Sequence, residues 1–376
     1  MPENCNHESH FGKVYYLTGG TTSIPRMIGY DIGRWRRSVH ITAEILSAHG
    51  VNSTSKVVVC HPFAPWAIGP VFTEAAMSCG ASVYPLGLSV GQTSLLHLLS
   101  KVNPTHLCAS ARNLVVWGMR MRSEGIEIKG RKRRKAFVAG ETLTHGLRSR
   151  CSSLWSADVA NIYGMAEFDT VAAELPETSE LVLVPYFQYS LLTDGIQTSL
   201  QPHQTGELLV RDSHDAEWFR TGDRIRVLNL VRESTSNWRN TWTIEFLGRL
   251  EESAFLADGT LLGLSQIDAL LTACRELLQI QISIVHSNTG DRLRILCVPE
   301  FSSVQVDTNK ILKSFLASSI DLQDSYEHGV IEMIEIMQVS TEELVQTPRG
   351  KFPRIVEREE YETPRKAHDT REVRGS

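Results

Sequence analysis

The sequence predicts an α/β protein: a large N-terminal α/β domain with a parallel sheet plus an antiparallel or barrel-like section, and a small C-terminal α+β domain. Three observations predict it. Through the first half of the chain, short β-branched runs alternate with stretches of helical apolar spacing. From about Glu180 to Leu250 that spacing gives way to short strands divided by turn residues. After Arg249 a second, shorter set of helices and strands begins.

The elements follow in order. Residues 1–13 are polar and read as a disordered leader. A turn rich in glycine and hydroxyls occupies 18–26. Apolar residues at helical spacing predict a helix from Ile32 to His49, stopped by Gly50. The run Val57–Val58–Val59 predicts a buried strand, and "GPVFTEAAMSCGA" a helix ending at Gly80. "SVYPLG" reads as a strand, "SLLHLLSKVNP" as a helix stopped before Pro104, and "THLCAS" as a strand. A basic loop leads into the strand "AFVAG", a helix opens near Thr142, and "ANIYGMAEF" is a strand followed by a turn. "SELVLVPYFQYSLL", "TGELLVRD", "TGDRIRVLNLV" and "TWTIEFLGRL" are the antiparallel strands. In the last part, "LSQIDALLTACREL" and "TNKILKSFLASSI" predict helices, and "IQISIVHSNTGDRLRILCVPE" two strands joined at "NTGD". "VIEMIEIMQV" predicts one more strand. The expected boundaries are 1–13 leader, 14–248 large domain, 249–355 small domain and 356–376 disordered tail.

Composition narrows the function classes. The chain has 376 residues, 42% hydrophobic and 22% charged, with a formal charge of −5. Neither nucleic acid nor an anionic membrane is an expected partner of so mildly acidic a chain. No apolar run reaches the ~20 residues of a membrane span, and the first residues lack the apolar stretch of a signal peptide. The seven cysteines form no CxxC pair, and the thirteen histidines include no HExxH. The expectation is a cytoplasmic protein with reduced thiols and no structural zinc.

The chemistry rests on six stretches: "LTGGTTSIPR" from Leu17, "AGE" at Ala139–Glu141, "IYGMAE" at Ile162–Glu167, "RTGD" at Arg220–Asp223, "GRLEE" at Gly248–Glu252 and "PRGKFPR" at Pro348–Arg354. The first alone is a weak phosphate signal, because glycine and threonine serve many ordinary turns. It also lacks the GK pair of the common phosphate loop. In this order, together, the six resemble the motifs of the adenylate-forming superfamily, the acyl- and aryl-CoA ligases and their relatives, and most of all its phenylacetate-CoA ligase branch. The resemblance spans Tyr16 to Arg354.

The resemblance implies ATP-dependent activation of a small aryl or short acyl carboxylic acid to an acyl-adenylate with release of pyrophosphate. Transfer to a thiol follows, most readily that of CoA. A carrier protein or an amine is the alternative acceptor, and a degenerate fold that only binds a nucleotide or partner is the reading from another class. The implied cofactors are ATP and Mg²⁺. Thr18, Gly19, Gly20, Thr21, Thr22 and Ser23 would wrap the phosphates as donors, with Arg26 supplying charge where the family usually has lysine. Gly140 and Glu141 would face the adenine, Tyr163 would stack on it, and Asp223 would take the ribose hydroxyls. Glu167 would ligate Mg²⁺, Arg249 would contact ribose or phosphate, and Lys351 would bridge the substrate carboxylate and the α-phosphate. His61, Phe63, Trp66, Ala139, Gly164 and Met165 would line the acid pocket.

Lys351 lies on the small domain, so the resemblance makes that domain a mobile lid that closes for the first step and rotates for the second. This sequence departs from the family at Ala166, where a hydroxyl is usual, and at the hinge acids Glu251 and Glu252. The family also carries a longer segment before the phosphate turn, and a homodimer is one way to cover the surface its absence would expose. Two features stay open. "KGRKRRK" at 129–135 reads as a solvated loop or as a dock for the CoA 3′-phosphate or an acidic carrier protein. Cys60, at a buried strand end, has no partner that would make it a nucleophile.

Overall fold

The computed structural model describes residues 12–18, 26–88, 92–126, 133–213, 216–231, 238–250, 253–287, 290–301, 303–345 and 352–358. The chain divides into two compact units, one running through residue 251 and the other from 252 to 345 and again from 352. Among the described residues, no helix is long and apolar enough to cross a membrane.

The first unit opens with a hairpin, β1 (Val14–Leu17) and β2 (Met27–Tyr30), paired antiparallel. Helix α1 (Ile32–Ala48) follows at once, its first turn capped by the Asp31 carboxylate, which accepts from the Arg34 N–H. Then strands and helices alternate: β3 (Lys56–Val59), α2 (Ile68–Ser78), β4 (Ser82–Pro85), α3 (Gln92–Val102), β5 (His106–Ala109), α4 (Ala111–Ser123), β6 (Arg134–Ala139), α5 (His145–Trp155) and β7 (Ala157–Met165). Strands β4, β3, β5, β6 and β7 are neighbours in that order, all parallel. β3, β5 and β6 are mostly buried, as strands covered on both faces are, while β4 at the end of the sheet is not.

Beyond β7 the sheet changes direction. β8 (Asp169–Glu174) pairs antiparallel with β7, and β9 (Leu181–Leu183) with β8. β10 (Gln188–Thr193), β11 (Ile196–Thr198), β12 (Thr205–Arg211), β13 (Phe219–Val231) and β14 (Thr241–Arg249) complete it. The order is β11-β10-β12-β13-β14-β9-β8-β7-β6-β5-β3-β4, one sheet of twelve strands. The antiparallel section expected from the sequence is therefore continuous with the parallel one. One core joins both, with Ile45, Phe137, Val171, Leu183 and Trp238 fully or almost fully buried in it. Each such side chain contributes about 1.5–3 kcal/mol on leaving water.

The second unit holds β15 (Ala254–Phe255), β16 (Leu261–Leu262), α6 (Leu264–Ala273), β17 (Leu277–His286), β18 (Asp291–Pro299), α7 (Thr308–Leu316), α8 (Ile320–Glu327), β19 (Ile331–Gln338) and β20 (Ile355–Arg358). Its sheet runs β19-β18-β17-β20, with its own core around Ile282, Leu293, Ile311 and Phe315. β20 corrects the expected tail. Residues 356–358, expected to begin a disordered segment, pair parallel with β17 in continuation of Ile355, which is 5% exposed in the core. The basic run also needs correcting as a loop. Arg134 and Lys135 belong to β6, and the buried Arg134 guanidinium donates to the carbonyls of Pro104 and Trp155 at 3.2 and 3.3 Å. Residues 129–132 lie outside the described residues.

Candidate active site

The parallel strands end at one edge of the sheet, where open α/β sheets present their binding crevice. Ala139 ends β6 and Met165 ends β7, while the loop carrying His61, Phe63 and Trp66 follows β3. The β1–β2 hairpin reaches the same loop, since the Leu17 N–H donates to the Pro65 carbonyl at 2.9 Å. Aromatic packing seats the hairpin. Tyr16 and Tyr30 meet edge to face at 5.3 Å between centroids, and Trp35 of α1 packs beside both. Residues 19–25, including Gly19, Gly20, Thr21, Thr22 and Ser23, lie outside the described residues.

The stem of that turn is tied twice. The Thr18 N–H donates to the Arg26 carbonyl at 2.9 Å, and the Arg26 N–H donates to Thr18 Oγ1 at 3.1 Å. With its backbone held, the Arg26 side chain is 61% exposed and extends to Glu167, Nη2 to Oε1 at 2.5 Å. The structure thus brings together two residues 141 positions apart that the sequence assigned separately to phosphate charge and to metal.

A second group forms at the β13–β14 pair. Asp223 and Arg249 are register partners, and Arg249 Nε lies 3.2 Å from Asp223 Oδ1. The Tyr163 hydroxyl, arriving from β7, donates to Asp223 Oδ2. Asp223 is 1% exposed, and a carboxylate so deeply buried needs partners of this kind. Burial first, then the neighbouring Asp223 carboxylate, raises the Tyr163 phenol well above its ordinary range, so it stays a donor. "RTGD" is no free turn: Thr221 Oγ1 donates to the Leu208 carbonyl at 2.7 Å and accepts from the Asp223 N–H at 3.1 Å.

The remaining expected residues divide by local cause. Gly140 has φ +86°, a conformation that favours glycine, and a Cβ there would meet nothing within 4 Å. Its glycine therefore answers to backbone shape as well as to any approaching ligand. The Glu141 carboxylate accepts from the Arg112 N–H at 2.7 Å, which caps the start of α4. Gly164 is exposed, yet a Cβ on it would stand 2.1 Å from the Asp169 carbonyl oxygen. Met165 is half-buried and Ala139 buried. His61 is 2% exposed, and burial pushes its imidazole down to about 3. It is a neutral ring at physiological pH, packed 5.0 Å from Phe72, and its Nε2 has no hydrogen-bond partner. Phe63 and Trp66 are half-buried. The Cys60 thiol is pushed up to about 12 by burial, which removes the thiolate a nucleophile needs. Lys351, Glu251 and Glu252 lie outside the described residues.

No protein-family description matches the chain, and no curated protein matches it in sequence. Solved structures do match it in shape. A 2-hydroxyisobutyryl-CoA ligase in the postadenylation state, in complex with R3-HIB-AMP, superposes with a TM-score of 0.73 at 15% identity, over 92% of this chain and 73% of that one. This is the fold of the adenylate-forming ligases. The anthranilate CoA ligase AuaEII, in complex with anthranoyl-AMP, matches at 0.65 and 15% identity, over 90% of this chain and 65% of that one. The amide bond synthetase McbA from Marinactinospora thermotolerans matches at 0.65 and 14% identity, covering 90% and 67%.

Within that fold, the chemistry of the donor set can be weighed against Mg²⁺. Among the described residues there is no group of three or more His, Cys, Asp or Glu that could hold a metal ion. Glu167, 16% exposed at its side chain, is a carboxylate paired with Arg26. One carboxylate suits Mg²⁺, which keeps its waters and is usually held together with substrate phosphates. The residues present fit an ion that arrives with a nucleotide.

Sequence reasoning missed four residues packed behind Glu167: Tyr30, Arg34, Ser38 and Asp169. Only the place of Asp169, two positions beyond Glu167, hinted at one of them.

Proposed function

We propose that this protein is an ATP-dependent, AMP-forming ligase that activates a small carboxylic acid and passes its acyl group to a thiol. The observation that carries the reading is the pairing of Arg26 with Glu167 beside the Tyr163–Asp223–Arg249 group, on a sheet with the adenylate-forming fold. In the first step a carboxylate oxygen of the acid attacks the α-phosphorus of ATP. The bond to the β-phosphate oxygen breaks, and pyrophosphate leaves with its electron pair. In the second, a thiol loses its proton and its sulfur attacks the acyl carbon, and AMP departs with the bridging oxygen.

Each residue has a task in this scheme. Asp223 accepts the ribose hydroxyls on its remaining lone pairs, with Tyr163 and Arg249 fixing the plane of its carboxylate. Tyr163 offers its ring to the adenine. Glu167 would hold the metal, and Arg26, released from it, would pair with the phosphates. Mg²⁺, when bound, neutralises charge on the phosphate oxygens. Lys351 carries the cation that joins substrate carboxylate and α-phosphate, from a small domain that moves between the two steps. The loop after β3, with neutral His61 and the rings of Phe63 and Trp66, lines a pocket for an apolar aryl or short acyl acid. We assign CoA as the thiol and, from the spelling of the motifs, place the chain nearest the phenylacetate-CoA ligase branch. The described cysteines are free thiols, in keeping with a reducing, cytoplasmic setting.

The test is pyrophosphate release from ATP and Mg²⁺ across a panel of aryl and short acyl acids, with and without CoA. We expect release with at least one acid, faster with CoA, and loss of at least ~10²-fold on Lys351→Ala, the scale of losing one charge-stabilising group. No release with any acid would leave a nucleotide-binding protein. Release indifferent to CoA would point to a carrier protein or an amine as acceptor.

A further inference from the structure

Behind Glu167 lies a hydrogen-bonded network to which the reaction above gives no part. Its centre is the Asp169 carboxylate. One oxygen accepts from the Tyr30 hydroxyl; the other accepts from Ser38 Oγ at 2.5 Å and faces Arg34 Nε at 3.6 Å. Arg34 continues the chain of contacts, with Nη2 donating to the Ala166 carbonyl at 2.6 Å. Its guanidinium lies over the Tyr30 ring, 4.1 Å from the centroid, and the Tyr30 hydroxyl stands 3.1 Å from the same carbonyl. Two side chains from β2 and α1 thus converge on one peptide oxygen.

That oxygen belongs to the Ala166–Glu167 peptide. A carbonyl held by a guanidinium cannot rotate without losing a charge-assisted bond, so the plane from which the Glu167 side chain departs is fixed. The backbone carries a cost that this network offsets. Asp169 has φ +59°, the left-handed region, where a residue with a Cβ is strained and persists only when its surroundings over-determine it. Tyr30 ends the hairpin whose stem holds Arg26, and Arg34 lies in the first turn of the helix that follows. The network therefore ties the foot of the phosphate turn and the turn of Glu167 into one piece.

We infer that Asp169, acting through Arg34, is a positioning residue that sets the Glu167 carboxylate for the metal–nucleotide complex. This rests on the reading of Glu167 as the carboxylate that meets Mg²⁺. The alternative is a staple of the β7–β8 turn with no effect on metal.

The experiment uses the full chain and Mn²⁺ with α,β-methylene-ATP, a nucleotide that cannot release pyrophosphate. Bound Mn²⁺ is read by electron paramagnetic resonance, and the thermal midpoint of each variant is measured alongside. Asp169→Asn and Arg34→Met are expected to raise half-saturating Mn²⁺ about tenfold, the range for residues that orient a metal ligand. Arg34→Lys, which keeps a donor, should recover part of that loss, and Ser38→Ala, the mildest change, should shift it by about threefold. In the turnover assay the same variants should lower kcat more than they raise KM for the acid. Lowered midpoints with unchanged Mn²⁺ half-saturation would overturn the proposal. Glu167→Gln separates the two levels. If it leaves Mn²⁺ binding intact, the reading of Glu167 fails and the inference with it; if it abolishes binding while Asp169→Asn and Ser38→Ala have no effect, only the inference fails.

Discussion

At the scale of single residues, the decisive contacts join side chains far apart in sequence. Asp223 takes the Tyr163 hydroxyl on one oxygen and faces Arg249 on the other, inside a nearly closed shell. Hydrogen bonds to charged groups contribute about 1.5–3 kcal/mol each. Asp223→Asn should therefore weaken AMP binding by about tenfold or more in calorimetry. Tyr163→Phe, which leaves the carboxylate and Arg249 in place, should cost about threefold. Unchanged affinity in Asp223→Asn would remove the carboxylate from the nucleotide site. The motifs named Tyr163, Asp223, Arg249, Arg26 and Glu167 from the sequence, because each lies in a short stretch with a recognisable spelling. Their pairing was not legible, since a separation of 60 or 141 positions is bridged only by the fold. Arg34 and Ser38 were not legible at all, being ordinary residues on a helix whose partners lie across the sheet.

At the scale of elements, alternating strands and helices were read correctly where one face differs from the other. Helix α1, with exposed Arg36 and His40 opposite buried Ile41 and Ile45, was plain in the sequence. Helix α4 was missed. Its buried residues Ala111, Leu114, Val115, Gly118 and Met121 recur at helical spacing, so the period is present in the sequence and went unread. Ser110, whose hydroxyl accepts from the Asn113 N–H at 3.3 Å, was the available start signal. β20 was missed because its pairing with β17 is parallel and distant in sequence, and "IVER" borders a charged segment. The β7–β8 connection depends on Gly164. Since a Cβ there would reach 2.1 Å from backbone, Gly164→Ala should lower stability by about 2–4 kcal/mol in denaturant unfolding. It should also disturb the turn that carries Glu167, so nucleotide-dependent Mn²⁺ binding should weaken in the same variant.

At the scale of the whole molecule, acid should unfold the first unit before its carboxylates are exhausted. Burial pushes His61 down to about 3 and His106 to about 4, and lowers His49 as well. His49 and His106 flank Phe137, at 5.4 and 6.1 Å between ring centroids, in the middle of the core. Below about pH 6.5 the unfolded chain takes up protons that these folded rings refuse. Their contribution is therefore complete above that pH and is lost as pH falls towards the folded values. Each ring adds up to about 1.4 kcal/mol of lost stability per pH unit. The unfolding midpoint should drop steeply between pH 6.5 and 4.5, and less steeply in His106→Leu; equal slopes would mean that the ring already titrates in the folded state. One strand organises the rest. β7 has a parallel neighbour on one side and an antiparallel neighbour on the other, so the sheet reverses direction where the candidate residues gather. The frame there comes from backbone pairing, while the segments beyond the strand ends belong to no ladder. Randomising 62–66 while leaving the sheet alone should therefore yield folded proteins with new acid preferences, which makes this edge the natural place to begin a directed-evolution library.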